Sequence, residues 1–245
     1  MRFGVNSDRG KVRELNEDSY KVITGKDGIP DTFIVADGMG GHNSGELASR
    51  MAVDLSEEYL LKSLKGVGDE ESIISFICSL VAEVNKSIFL KAKESEENYG
   101  MGTTFVIGIH MDGKFFIGHV GDSRAYLVRN GVLERITTDH SYIEELIKNG
   151  SLTREEAQNH PKKNVITRAL GCEESVAVDT YSVNINDNDM LVLCTDGLTN
   201  MLNENEILSI INNSDEPQYS CNELVRLANE KGGEDNITVI LVKNS

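Results

Sequence analysis

Phe33-Ile34-Val35-Ala36-Asp37-Gly38-Met39-Gly40-Gly41-His42-Asn43-Ser44-Gly45 is the stretch whose reading decides the fold. Its apolar start reads as a buried strand, which delivers the carboxylate of Asp37 into a glycine-dense turn. Asn43, with Glu46 three residues on, has the form of a capping box, and Ala48, Met51, Ala52, Leu55 and Tyr59 then keep helical spacing. A carboxylate held by a strand suits a metal ligand. Glycines beside it let backbone carbonyls come close to an ion, because no Cβ intervenes. Two other readings compete. A dinucleotide-binding loop would need a third glycine where Asn43 stands, and a structural turn with a capping Asp would need no ion at all.

Working outward, 245 residues without a Pro/Gly/Ser-rich linker fit one large domain, 1–245. A net charge of −16 argues against nucleic acid or an anionic membrane as main partner. A phosphate-handling protein this acidic must offset its own field with bound cations. Cys78, Cys172, Cys194 and Cys221 are scattered and form no C-x-x-C pair, so they read as buried thiols in a reducing compartment. No signal-peptide core and no apolar run near ~18 residues is present. The expectation is a cytoplasmic monomer with no membrane insertion.

Upstream of the strand, residues 1–24 hold two short apolar stretches around a polar loop, and Asp27-Gly28 is a hairpin signal. Downstream, helical spacing covers 44–64 and, after Gly66 and Gly68, about 69–96. The period then changes. Strands at 104–110 and 114–120 flank Met111-Asp112-Gly113, and strands at 124–129 and 132–136 flank Asn130-Gly131, giving two successive hairpins. Residues 139–165 are polar, helical at 142–149 and 154–159, and read as a surface insertion. Strands return at 176–183, 190–194 and 237–242, with helices at 204–212 and 220–231. The strands at 105–109, 191–193 and 239–242 are apolar on both faces and must be covered twice. The fold class that satisfies this is α+β: a four-layer α/β/β/α sandwich of two antiparallel sheets flanked by helices.

Four acidic positions recur beside an apolar strand and a Gly or Asn: Asp37-Gly38, Gly121-Asp122-Ser123-Arg124, Thr195-Asp196-Gly197 and Gly233-Glu234-Asp235-Asn236. Glu17-Asp18 is a fifth acidic spot. Each alone is an ordinary turn Asp. Together, without zinc motifs, they suggest one oxygen-ligand cluster for Mg²⁺ or Mn²⁺, whose charge would hold the carboxylates together.

The run Asp8-x-Gly10-x-x-Arg13-x-x-Asn16-Glu17-Asp18, followed by Ala36-Asp37-Gly38-Met39-Gly40-Gly41-His42, Gly102-Thr103-Thr104, Gly121-Asp122-Ser123-Arg124, Asp139-His140-Ser141, Thr195-Asp196-Gly197-Leu198 and Asp235-Asn236, resembles the metal-dependent protein phosphatases of the type 2C family. The bacterial single-domain serine/threonine members are the nearest match, and the motifs span almost the whole chain in the family's order. The resemblance implies hydrolysis of phosphoserine and phosphothreonine in proteins by a metal-activated water, with no phosphoenzyme, using two tightly bound Mn²⁺ or Mg²⁺ ions and a weaker third. It implies that Asp37 bridges the two ions, that the Gly38 carbonyl completes the second, and that Asp196 and Asp235 serve the first. Glu17 and Asp18 match residues that hold metal-bound waters, Asp122 matches the third ion's ligand, and Arg13 matches the phosphate clamp. Segment 141–165 corresponds to a flap beside the site. Where animal members carry a histidine after Asp-Gly, Met39 stands here as in bacterial members. His42 is thus a candidate general acid, with a structural role as its competitor. His119, His140 and His160 read as structural or surface residues. Expected partners are phosphorylated proteins, among them a serine/threonine kinase and its substrates. A small-molecule phosphomonoesterase and a catalytically inactive binding module are the alternatives; the second predicts a lost ligand, and every ligand position is filled.

Overall fold

The computed structural model describes residues 1–26, 28–41, 44–64, 68–157 and 160–244. The hairpin signal at Asp27, the break at Gly66, the cap at Asn43, the candidate acid His42 and the helix end at 158–159 lie outside the described residues. Strands β1 (Arg2–Asp8), β2 (Asp18–Ile23) and β3 (Thr32–Met39) precede helices α1 (Ser44–Ser63) and α2 (Glu70–Ala92). A 3₁₀ turn (Glu96–Asn98) leads to β4 (Gly102–Thr103), β5 (Phe105–Met111), β6 (Lys114–Val120), β7 (Arg124–Arg129) and β8 (Val132–Arg135). Helices α3 (Tyr142–Lys148) and α4 (Arg154–Ala157) stand apart from both sheets in sequence. They are followed by β9 (Asp179–Asn184), β10 (Met190–Cys194), α5 (Asp196–Thr199), α6 (Glu204–Asn212), α7 (Pro217–Glu230) and β11 (Ile237–Lys243).

Two antiparallel sheets result, one ordered β1-β11-β10-β7-β8 and the other β2-β3-β5-β6-β9, with β4 added beside β3. The period-2 alternation of each doubly apolar strand assigns its side chains to two layers. Ile34 and Ala36 of β3 join α1 and α2, while Phe33 and Val35 face the other sheet. Leu191 and Leu193 of β10 meet Phe33, Val35 and Val106 between the sheets, while Val192 and Cys194 lie under α6 and α7. Ile240 and Val242 of β11 repeat the pattern against Val239 and Leu241. Three apolar layers therefore separate four structural ones, as the doubly apolar strands required.

Local chemistry sets the helix ends. Asp69 caps α2, accepting from the Ser72 N–H at 2.8 Å, and Asn203 with Glu206 forms a capping box on α6. Helix α7 starts at Pro217, three residues before the predicted start, because proline's missing N–H is no loss in a first turn. By length and mean hydropathy (1.7), α2 could cross a membrane. Ile73, Ile77, Leu80, Val84 and Ile88 are instead buried against the sheet of β3 and β5.

Two sequence expectations are corrected, and the sheet that each hairpin joins is settled. The strand carrying Asp37 does not stop before it, because Gly38 and Met39 go on to pair with Thr103 and Gly102 of β4. The two hairpins do not share a sheet: β6 pairs with β9 and β7 with β10, so the chain crosses from one sheet to the other at residues 121–123. Cys194 and Cys221 are buried thiols, but Cys78 and Cys172 are exposed.

Candidate functional site

Antiparallel pairing brings alternate strand ends to the same edge of a sheet, so acidic residues remote in sequence converge at one end of the sandwich. Asp18 opens β2 directly opposite Asp37 in β3. Asp8, Cys194 and Arg124 bring the end of β1, the end of β10 and the start of β7 to the same edge as the start of β11. The crossings between sheets, 9–17 and 121–123, lie there too. Arg13, Glu17, Asp37, Gly38, Asp122, Asp196 and Asp235 all line one cleft of about 310 Å³, shared with Met39, Thr104, Asn164, Ile166 and Asn236. Asp18 is buried beside it, its Oδ2 accepting from the Thr195 hydroxyl at 2.8 Å.

Asp37 is held through its backbone. Its N–H donates to the Thr104 hydroxyl at 2.9 Å, and its carbonyl accepts from the Thr104 N–H and the Thr103 hydroxyl, both at 2.9 Å. Gly38 donates to the Glu17 carbonyl at 3.1 Å. A Cβ on Gly38 would lie 2.1 Å from the Gly45 carbonyl oxygen, so only glycine lets β3, the 9–17 loop and the start of α1 meet here. Asn236 fixes that loop from the far side, accepting from the Glu17 N–H and donating to the carbonyls of Arg9 and Leu15, each at 2.8 Å.

Crowding of buried carboxylates raises their proton affinity. Burial first, then the charges of Asp18, Asp196, Asp122 and Asp235, pushes Asp37 well above the usual carboxylate range. Burial pushes Asp18 up to about 7 against hydrogen bonds from Thr238 and Thr195, with Asp196 and Asp235 adding to the rise. Burial and Asp196 push Asp122 up to about 8. Asp196 is raised by burial and Asp235, and Glu17 by burial, with Arg13 opposing.

Such a cluster calls for cations, and unpartnered oxygens supply an independent sign. Glu17 Oε1, Asp18 Oδ1 and Asp196 Oδ1 are buried and accept no hydrogen bond, an arrangement that costs several kcal/mol unless a positive partner is bound. The donors are all oxygen, the set that suits Mg²⁺ or Mn²⁺. Among the described residues no trio of His, Cys, Asp or Glu side chains is drawn to ligand distance around one point. Asp235 accounts for part of this: its Oδ2 accepts from Arg13 Nη2 at 2.8 Å and its Oδ1 from the Asn236 N–H at 2.9 Å. The residues fit hard cations whose remaining ligands would be waters. Sequence reasoning gave no role to Thr104, Asn236, Asn164 or Ile166. Thr104 and Asn236 stood inside quoted motifs, the one signal that marked them.

A four-layer sandwich with a carboxylate-rich cleft at one end suits a metal-dependent hydrolase, and comparison with known proteins narrows the class. The family model for protein phosphatase 2C matches residues 9–232. The serine/threonine phosphatase stp of Listeria monocytogenes is 44% identical over 243 residues, covering 99% of this chain and 96% of that protein. The serine/threonine phosphatase of S. agalactiae superposes with a TM-score of 0.94 at 34% identity, covering 100% of this chain and 99% of its own. The catalytic domain of the phosphatase PstP, solved in complex with two manganese ions, has a TM-score of 0.85 at 31% identity and covers 99% and 97%. The chain belongs to the protein phosphatase 2C family: it is a metal-dependent protein-serine/threonine phosphatase of the bacterial type, acting on phosphorylated proteins.

Proposed function

We propose that this phosphatase works with two tightly bound Mn²⁺ or Mg²⁺ ions and a weaker third. In this reading Asp37 is shared by the two tight ions, the Gly38 carbonyl serves the second, Asp196 and Asp235 serve the first, and Asp122 with Asp196 serves the third. The observation that carries it is the set of buried, unpartnered oxygens on Glu17, Asp18 and Asp196 within a cluster of proton-loving carboxylates. When bound, the cations acidify a water to near neutrality and offset the charge of the phosphoryl group.

The chain's own groups do the rest. Arg13 is the one cation among the described lining residues, and its planar fork matches two phosphate oxygens once it leaves Asp235. Glu17 and Asp18 hold and orient waters through their free oxygens. Thr104 and Asn236 keep the backbone beneath Asp37 and Glu17 from shifting. His42 is the candidate proton donor to the departing serine or threonine oxygen. No cysteine or serine nucleophile takes part, in line with the pushed-up thiols of Cys194 and Cys221, each at about 12.

Residues 1–245 form one catalytic domain, with 141–165 as a flap that contributes Asn164 to the cleft. The enzyme acts as a cytoplasmic monomer that reverses a bacterial serine/threonine kinase. Calorimetric titration with Mn²⁺ and Mg²⁺, beside hydrolysis of a phosphothreonine peptide, tests the site. The parent should bind two ions tightly and lose activity in EDTA, while Asp37→Asn should lose both. Full turnover in chelator, or in the variant, rules the reading out.

A further inference from the structure

The motif Asp139-His140-Ser141 lies in the segment between β8 and β9, and none of its three residues lines the cleft. Its first two side chains close instead on the turn Gly121-Asp122-Ser123-Arg124, about 18 residues upstream. His140 brackets Gly121, its side chain holding the peptide unit before that residue and its backbone the peptide unit after it. The Gly121 N–H donates to His140 Nδ1 at 3.0 Å, and the His140 N–H donates to the Gly121 carbonyl at 2.8 Å. Asp139 accepts from Arg124, with Nε at 3.1 and 3.2 Å and Nη2 at 2.8 Å, and also engages Arg135. Ser123 is tied to Thr104 by a 2.7 Å hydroxyl pair. Asp122 is thus the one residue of its turn whose side chain is left to face the cleft.

Hydrogen-bond logic fixes the imidazole. A backbone N–H can only donate, so Nδ1 is bare and the ring's proton sits on Nε2. That proton goes to Asp179 Oδ2 at 3.1 Å. Arg168 lies 2.9 Å from Nε2 but cannot donate to it in this tautomer; it donates to Asp179 Oδ1 at 2.8 Å and the Ala177 carbonyl at 3.2 Å. The buried ring of His119 stacks on His140 with centroids 4.7 Å apart, and the Thr167 N–H donates to the His140 carbonyl at 2.8 Å. Gly121 has φ +105, and a Cβ there would come within 2.7 Å of Thr104, so no side chain of its own can steer this peptide. What grips the Gly121 peptide sets where the next residue points.

We propose that His140 is a positioning residue for Asp122: its Nδ1 anchors the Gly121 N–H at the entry to the turn, so that the carboxylate of Asp122 faces the weak third ion. The inference rests on the reading of Asp122 as that ion's ligand, and it gives the Asp139-His140 motif a task. Residues one hydrogen bond removed from a ligand typically change metal affinity by about 10–100-fold when lost.

Four variants test it: His140→Ala, His140→Asn, His140→Gln and Asp122→Ala. The Oδ1 of Asn reaches near the place of Nδ1, whereas the amide of Gln reaches past it. Calorimetric Mn²⁺ titration should show the two tight events unchanged in all three His140 variants. The weak event should fall about tenfold or more in Ala and Gln and stay within about twofold of the parent in Asn. Amide exchange of Gly121 in chelator, read by NMR, should quicken in Ala and Gln but not in Asn. If Ala fails to fold, the Asn and Gln pair decides. Equal behaviour of Asn and Gln, or an unaltered weak event in Ala, overturns the positioning role. Retention of the weak event in Asp122→Ala overturns the ligand reading beneath it, whereas its loss there with retention in Gln removes only His140.

Discussion

Arg13 Nη2 donates to Asp235 Oδ2 at 2.8 Å, so the cation proposed to bind phosphate and the carboxylate proposed to bind metal hold one another at the cleft. Their side chains are 49% and 30% exposed, and an ion pair this open is worth about 0–1 kcal/mol. A bidentate, charge-assisted contact to phosphate is worth more, about 1.5–3 kcal/mol. The pair is therefore a contact that substrate and cation exchange at small cost, and each partner's release favours the other's task.

Arg13→Ala should raise KM for phosphopeptides about tenfold or more, with a smaller fall in kcat. Its Mn²⁺ affinity should stay level or tighten, since Asp235 no longer shares an oxygen. Steady-state kinetics at saturating Mn²⁺ with parallel calorimetry reads both. An unaltered KM would reduce Arg13 to a surface ion pair.

Stability of the chelated enzyme should fall as pH rises from about 4 to about 8. In the folded chain Asp18 titrates at about 7 and Asp122 at about 8, against about 3.9 when unfolded. Between those values the folded state binds more protons, so their stabilising contribution is complete below the unfolded value and is lost as pH climbs through 7 and 8. His119, pushed down to about 3 by burial, has the opposite slope up to its unfolded value of about 6.5, so it offsets part of the decline below that pH and none above it. Saturating Mn²⁺ should flatten or reverse the decline, because ions bind the deprotonated carboxylates. Tm by scanning calorimetry in EDTA and in Mn²⁺ makes the comparison; a flat Tm in EDTA would mean these carboxylates ionise freely.

The acidic residues were legible because each stands in a short run whose chemistry is local: Asp37 before Gly38, Asp196 before Gly197, Asp235 before Asn236. The hairpin turns were legible for the same reason, since Asp112 and Asn130 take φ 51 in two-residue connections. Which sheet each hairpin joins was not, because that depends on β6 meeting β9 and β7 meeting β10, pairings tens of residues apart. β4 and α5, at two and four residues, are too short to carry a period. Thr104 read as an ordinary strand residue, because its partners Asp37 and Ser123 are 67 and 19 positions away.

Thr104→Val should lower both stability and metal affinity. Valine matches the shape but leaves the part-buried Asp37 N–H and the buried Ser123 hydroxyl without their partner. Lost partners of this kind cost about 1–3 kcal/mol. The expected outcome is a lower urea midpoint with unchanged m-value and a higher Mn²⁺ requirement, which Thr104→Ser should restore in large part. Equal Mn²⁺ requirements in Val and parent would confine Thr104 to packing.

Asp122→Ala sets a turn against a metal ligand. Were Asp122 only a capping residue of the crossing between β6 and β7, its removal would loosen the fold and leave the ions alone. Several contacts argue that the crossing survives: the Arg124–Asp139 fork, the Thr104–Ser123 pair and the Gly121–His140 pair hold it without the Asp122 side chain. The carboxylate itself is half-buried and pushed up to about 8, so ionising it in chelator opposes folding. The variant should thus melt at or above the parent's temperature in EDTA at pH 8. A lone carboxylate beside two filled sites gives its ion few protein oxygens and many waters, so the ion it holds binds weakly. Calorimetry should accordingly show two tight Mn²⁺ events retained and a weak one gone. Turnover should drop most on phosphothreonine peptides, whose alkoxide leaves poorly, and less on p-nitrophenyl phosphate. Wild-type turnover at every Mn²⁺ concentration, or a melting temperature well below the parent's in EDTA, would return Asp122 to the role of a turn residue.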